Sequence, residues 1–509
     1  MPRRRLQSWL QETHGTQFEL VRHFLSQNLS SSLMSSEQAR RIAIAALALV
    51  ACLGPVIVRL YVSKYAFLEG LPTGTLYLQA VRADRLFFIT FSMVVAGIVT
   101  GFQWQSLFPG REDYLTLKPL PLSLYHVLAA RFLSSFVLIG IVVADLNLAT
   151  SVLFPWLTSG KWQSPGFGIR YIFAHAVVTV GAGLFVFLAM AAIQGVYLNL
   201  LSSRAFERIS VLLQALFVVT WFTTVPYVFD IPNWHLTVAA RPNWMDWFPP
   251  SWFEGLYETM LGTQDLYFHH QANTAALVLS ATALISLLAY FVSYKRHATR
   301  VLETSPLASG ISSQRFWEPL HRRLVSNPRE HAVFDFVLCT LRRSRQHRLL
   351  ITFSVGIALV LALQPVGPIL LSHWLLRTPL SDSEVRSTLA MPIVIGSVVI
   401  SALFHVFQLP SEIRANWLFR LIEETGRREL LDAAERILLL FGIVPALLTT
   451  FPVEVLVAGM PVAFAHALFS ATFLLLLMEV RLREWHKVPF TCSYLGGRRN
   501  LWQTLGAYL

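Results

Sequence analysis

The sequence predicts an all-α, polytopic membrane protein. It has about ten transmembrane helices in two repeats of the same orientation, each preceded by an interfacial helix. Three observations predict this. The 509 residues are 54% apolar and only 14% charged, whereas a soluble domain carries roughly 25% charged residues. The apolar residues are gathered into blocks long enough to cross a hydrocarbon core as helices, which takes ~17–25 residues each. Finally, a unit of span, polar loop and span occurs twice.

The blocks are 42–62, 86–102, 132–154, 172–201, 209–229, 275–294, 350–371, 388–408, 437–451 and 455–478. A span in lipid must satisfy its own backbone hydrogen bonds, so blocks of this length are helices. Barrel strands would show ~10-residue segments of alternating pattern, which are not seen. The ninth block is short. It meets the tenth through Pro452-Val453-Glu454, and the pair reads either as a tight hairpin or as a partly re-entrant element.

Residues 1–41 form a leader in which Phe18, Val21, Phe24 and Leu25 recur at helical spacing ahead of Arg40 and Arg41. That pattern predicts an amphipathic helix at the cytosolic interface. The apolar core begins only at Ile42, too late for a cleaved signal peptide, so the first span is an uncleaved anchor. A second such helix is expected before the seventh span, with Phe334, Val337, Leu338 and Leu341 ahead of the basic run from Arg342 to Arg348. Between the halves, 295–333 reads as a cytosolic linker. The division is therefore 1–41 leader, 42–294 first repeat with six spans, 295–333 linker, and 334–509 second repeat with four. The shorter second repeat is either short by design or points to a chain truncated at its C-terminus. The closing Pro489 to Arg499 stretch reads as a loop leading into a further span.

Charge placement sets the topology. If the spans alternate, 32 of the 41 Lys and Arg fall on one side, and the positive-inside rule assigns that side to the cytosol. Both termini are then cytosolic. The net charge of +12 follows from this bias and from contact with anionic lipids. Its scatter over six loops speaks against nucleic acid as a partner. Cys52, Cys339 and Cys492 are far apart and predict neither a disulfide nor a zinc framework.

The repeated loops are the most specific pattern. In the first, Pro109-Gly110-Arg111-Glu112-Asp113 starts a short helical turn that Pro119 and Pro121 break. Ser123 is the candidate N-cap of a helix running into the third span through Arg131. In the second, Pro410 is followed by Ser411, Glu412 and Arg414, and the chain re-enters the membrane past Arg436. Such loops are either solvated segments whose acids and bases pair locally or docking points for a soluble partner. On the other side, 230–274 carries Trp244, Trp247, Phe248, Trp252, Phe253 and Tyr257. It reads as an interfacial anchoring helix after Pro250, or as an aromatic substrate gate.

Polar residues inside spans are costly to bury and face protein or water. Asp145, Asn147, His175 and His466 are the candidates for an intramembrane polar path. The simpler reading of each is a hydrogen bond between helices. Catalytic patterns are missing from the sequence. Gly160-Lys161 is followed by Trp162, so there is no phosphate-cradling loop, and there is no His-Glu-x-x-His or Gly-x-Ser-x-Gly. The chain is expected to be no enzyme and to need no cofactor.

Leu107 to Leu115, Leu117, Pro119-Leu120-Pro121-Leu122-Ser123 and Ala130-Arg131 resemble the cytosolic loop of type-2 ATP-binding-cassette exporter permeases. Pro249 to Tyr257 and Phe490 to Leu495 are similar to segments of large, duplicated bacterial membrane proteins related to that group. The resemblance implies a multi-pass permease of the bacterial inner membrane, with a coupling helix between the second and third spans. A separate nucleotide-binding subunit would hydrolyse ATP, and homo-oligomerisation is compatible with it. The docking segment then falls on Arg111, Asp113, Leu115, Leu120 and Pro121, with Glu412 and Arg414 as its second copy. In that copy Ile422-Glu423-Glu424-Thr425 stands where the first has Leu-Pro-Leu-Ser. The rival expectations are a non-transporting membrane scaffold and an ion-coupled secondary transporter.

Overall fold

The computed structural model describes residues 2–29, 36–108, 111–117, 119–120, 122–160, 168–303, 328–363, 369, 380–410, 427–483 and 489–491. Among these, every regular element is helical. Eight helices are long and apolar enough to cross a membrane: Leu47–Glu69, Thr75–Phe102, Tyr125–Thr158, Gly168–Leu200, Leu266–Val292, Asp382–Gln408, Leu431–Ala458 and Met460–Leu482. Two shorter apolar helices, Leu212–Val228 and Leu350–Ala362, coincide with the remaining two expected blocks. The chain is thus a helical, membrane-embedded protein. It divides into two compact units, Met1–Ser305 and Pro306–Leu509.

The first unit begins with α1 (Pro2–Leu29) and α2 (Ser36–Glu69). Then come α3 (Thr75–Phe102), the short α4 (Arg111–Leu117) and α5 (Leu124–Thr158). Ser123 caps α5, its hydroxyl accepting from the His126 amide, which satisfies one of the donors that a helix start leaves free. The unit continues with α6 (Gly168–Leu200), α7 (Ser203–Val228), α8 (His235–Ala240), α9 (Pro249–Leu261) and α10 (Leu266–Glu303). Helix α2 lies on α5, α3 on α6 and α7, and α10 on α6 and α9. Gly183 lets α3, α5 and α6 meet closely: a Cβ there would stand 2.7 Å from a Val143 methyl and 3.1 Å from the Ser92 hydroxyl. Small residues at such crossings are how helices pack where lipid offers no hydrophobic drive.

One expectation for this unit changes. The leading helix forms as expected, and part of its apolar stripe packs on protein: Leu20 and Phe24 are buried against Val127 and Ala130 of α5, with Val21, Leu117 and Leu122 packed around them. Helix α9 is no anchor lying on a surface, because Pro250, Phe253, Glu254, Gly255, Tyr257 and Glu258 are all buried and it packs on α3, α6 and α10. Only the aromatics before it, Trp244 and Trp247, stay exposed.

The second unit has α11 (Pro328–Arg343), α12 (Arg345–Leu363) and α13 (Asp382–Gln408). Ser381 and Glu384 close a capping box at the start of α13, two reciprocal side-chain to backbone bonds. Helix α14 (Arg427–Leu438) passes through a π turn at Leu439–Ile443 into α15 (Val444–Ala458), and α16 (Met460–Leu482) follows. The expected break at Pro452-Val453-Glu454 is absent. Pro452 sits inside α15, and the turn is made at Gly459, whose φ of +82° suits glycine. Helix α11 packs on α14, α13 on α12, α15 and α16, and α15 on α16. Of the expected linker 295–333, residues 295–303 belong to α10 and 328–333 to α11, and 304–327 lies outside the described residues.

Candidate functional site

Two polar constellations occupy opposite ends of α3 in the first unit, separated by about 26 Å at 1.5 Å per residue between Arg85 and Phe102.

At the α4 end, the chain from Trp104 to Arg131 is tied to four helices. The Trp104 indole donates to Ser210 Oγ of α7 at 2.9 Å, and its carbonyl accepts from Gln194 of α6 at 2.9 Å. Tyr290 of α10 donates to the Leu107 carbonyl at 2.8 Å and stacks on Phe108 at 4.3 Å. Arg131 Nε donates to the Ser106 carbonyl at 2.6 Å, and its Nη1 donates to Gln27 of α1 at 2.7 Å. The same Gln27 donates to Asp113 of α4 at 2.9 Å. The guanidinium also lies over the Phe24 ring, 4.9 Å from its centre. Gln27 has the right chemistry for this bridge because its amide offers an acceptor to the arginine and a donor to the carboxylate.

This places the expected docking residues. Asp113 is buried in the bridge, whereas Leu115 and Leu120 are about half exposed, at 53% and 51%. Arg111 opens α4. Pro121, Glu412 and Arg414 lie outside the described residues.

At the α9 end, charges converge that the sequence reading assigned to a loop. Asp84 is fully buried and accepts from Lys64 Nζ at 2.8 and 2.9 Å and from the Tyr65 hydroxyl. Its neighbour Arg85 donates to Glu258 Oε1 at 2.9 Å, and Arg82 donates to the same oxygen at 2.8 Å. Arg85 is sandwiched between the rings of Tyr171 and Tyr257, each centre 4.8 Å away, a favourable place for a desolvated cation. Tyr171 reaches Thr158 Oγ1 at 2.8 Å, and Tyr77 donates to the Thr158 carbonyl at 2.8 Å. His175 Nδ1 lies 3.0 Å from the Tyr257 hydroxyl. Helices α2, α3, α5, α6 and α9 are thereby joined through polar groups. Such a network is strong when satisfied and costly when broken.

The intramembrane candidates do not converge on one path. Asn147 donates to Ser92 Oγ at 2.9 Å, and Ser92 donates to the Thr179 carbonyl at 2.8 Å. Asn147 thus links α5, α3 and α6, the simpler of its two readings. His175 belongs to the α9-end cluster. Asp145 is half buried on another face of α5. His466 is in the second unit, where Nδ1 lies 3.3 Å from Glu454 Oε1 and 3.4 Å from Ser470 Oγ.

Lys64, Asp84, Arg85, Glu254 and Glu258 were not among the sequence candidates. One signal was available: Arg82 and Arg85 at i,i+3 on α3, and Glu254 and Glu258 at i,i+4 on α9, form complementary pairs. Among the described residues no group of three or more His, Cys, Asp or Glu is placed to hold a metal ion. Comparison with protein families, curated proteins and solved structures found no match.

Proposed function

We propose that the chain is the membrane-spanning subunit of an ATP-driven exporter, with ATP hydrolysed by a separate nucleotide-binding subunit that docks on the segment from Arg111 to Arg131. One observation carries the reading. The chain from Trp104 to Arg131 is bonded to α6 and α7 through Trp104, to α10 through Leu107 and to α1 through Asp113 and Arg131, yet it presents Leu115 and Leu120 outward. A segment fixed to the bundle on one side and apolar on the other suits a lever: a push on its outer face moves the helices behind it. The Gln27 bridge would carry the same push into α1.

The pairings within each unit support a duplicated design. In the first, α1 packs on the start of α5, and α3 packs on α5 and α6. In the second, α11 packs on α14, and α13 packs on α15 and α16. Arg131 is met by Gln27 of the first unit's leading helix, and Arg436 by Glu330 of the second's at 2.9 Å. On this reading both leading helices, both loops and both termini lie in the cytosol of a bacterial cell, and the membrane is the inner one.

The test is co-purification from the native host. The chain should bring down a nucleotide-binding subunit, and Asp113→Ala, which breaks the bridge to Gln27, should weaken that association. A chain that purifies alone under every condition would favour the scaffold reading, and ATP-independent, ion-driven flux would favour the secondary transporter.

A further inference from the structure

The α9 end of the first unit holds a carboxyl group with no role in the docking segment. Glu254 is 3% exposed, and neither of its carboxyl oxygens has a hydrogen-bond partner. The arginines whose charge acts on it, Arg85 and Arg82, each donate to Glu258, one turn further along α9, and Arg85 Nε donates to the Tyr171 hydroxyl at 3.2 Å. The other faces offer no replacement. From α6 come Tyr171, bonded to Thr158, and His175, whose Nδ1 is bonded to Tyr257 and whose Nε2 is unpartnered. From α10 comes Gln271 against Gly255, its amide donating to Asp246 at 2.7 Å.

A carboxylate in such a place would carry its full desolvation cost with no bond in return, whereas a neutral acid would not. Burial accordingly pushes the Glu254 carboxyl well above the usual carboxylate range, and Arg85 opposes that rise. Arg82, one-third exposed, connects the cluster to solvent.

We propose that Glu254 is a proton-binding site, neutral while Glu258 holds the arginine pair. Losing the proton sets the two glutamates in competition for Arg85 and loosens α9 from α3. The step is an O–H dissociation: the proton passes to water by way of the Arg82 opening, and the electron pair stays on the carboxylate. Proton release is thereby tied to the position of a helix that closes one end of the bundle.

Infrared difference spectroscopy of the full chain in lipid tests this directly. At neutral pH the carbonyl stretch of a protonated carboxylic acid should be present in the wild type and missing in Glu254→Gln. It should also disappear in Glu258→Gln, which frees Arg85 to stabilise ionised Glu254. Thermal unfolding gives an independent readout. A group whose folded pKa is raised above its unfolded one loses stability as pH rises between the two, and Glu254→Gln should flatten that slope. A Glu254→Gln protein with an unchanged spectrum and an unchanged slope would show that Glu254 is ionised in the fold and overturn the proposal.

Discussion

Gln27 and Arg131 meet through a 2.7 Å hydrogen bond across 104 positions of sequence, and the same glutamine amide reaches Asp113 at 2.9 Å. One neutral side chain therefore holds a leading helix, a short loop helix and the entrance of a long span in a single arrangement.

Replacing Gln27 with Leu keeps the volume and removes both bonds. Asp113 and Arg131 each lose their bond to Gln27, at a cost of about 1–3 kcal/mol, while Arg131 keeps its bond to the Ser106 carbonyl. Helix α1 should release first. Hydrogen exchange should show faster exchange in α1 and in 111–117, with α6 and α10 unchanged.

Asp84 is the most buried ionic partner at the α9 end, and among the described residues no other acid is bonded to Lys64. Asp84→Ala takes the acceptor from the partly exposed Lys64 ammonium and from the buried Tyr65 hydroxyl, and should cost about 1–3 kcal/mol. Adding Lys64→Met should recover a large part of the loss. Unfolding of the single and double variants measures the coupling.

Asn147 and Asp145, two residues apart on α5, should behave differently. Asn147→Ala removes the link to Ser92 and should cost about 1 kcal/mol. Asp145→Asn breaks no hydrogen bond, since the Asp145 Oδ2 is buried without a partner, and should leave stability unchanged or raised. Thermal unfolding in detergent compares them.

His347 gives the second unit a pH dependence. It is buried beside Ser344, its Nε2 lies 3.1 Å from the Leu409 carbonyl, and its ring meets Phe490 edge-on at 4.7 Å. Burial lowers its pKa below the ordinary 6.5, and the bond to Leu409 works the other way. The neutral ring belongs to the fold, while the unfolded chain takes up a proton at about pH 6.5 and below. With the folded pKa depressed, the contribution is present above 6.5 and is lost as pH falls through the folded value. The melting temperature should drop from neutral pH to about pH 5 more in the wild type than in His347→Gln.

Hydropathy alone located the eight long apolar helices and the two shorter ones among the described residues, because length and apolar content are what a bilayer demands of a helix. It placed the start of the second span at 86, whereas α3 begins at Thr75. Arg82, Asp84 and Arg85 look like a loop in one dimension. They are helical and largely buried because α2 and α9 bring Lys64 and Glu258 to them, and the paired spacings of Arg82 with Arg85 and of Glu254 with Glu258 do not by themselves join partners 20 or 173 positions apart. The same blindness moved the last turn. Pro452 and Glu454 read as a break, but Glu454 is buried beside His466 and the helix continues to Gly459. Ser123 and its cap were legible because a cap is local. The Gln27 bridge was not, since its three residues share no sequence neighbourhood.

The most direct test of the exporter reading is the ATP hydrolysis rate of a nucleotide-binding subunit that co-purifies with the chain, measured with and without it in lipid. The wild-type chain should change that rate, and Leu115→Asp with Leu120→Asp should abolish the change while the chain stays folded. A rate that responds equally to the wild type and to the double variant would contradict docking on this segment.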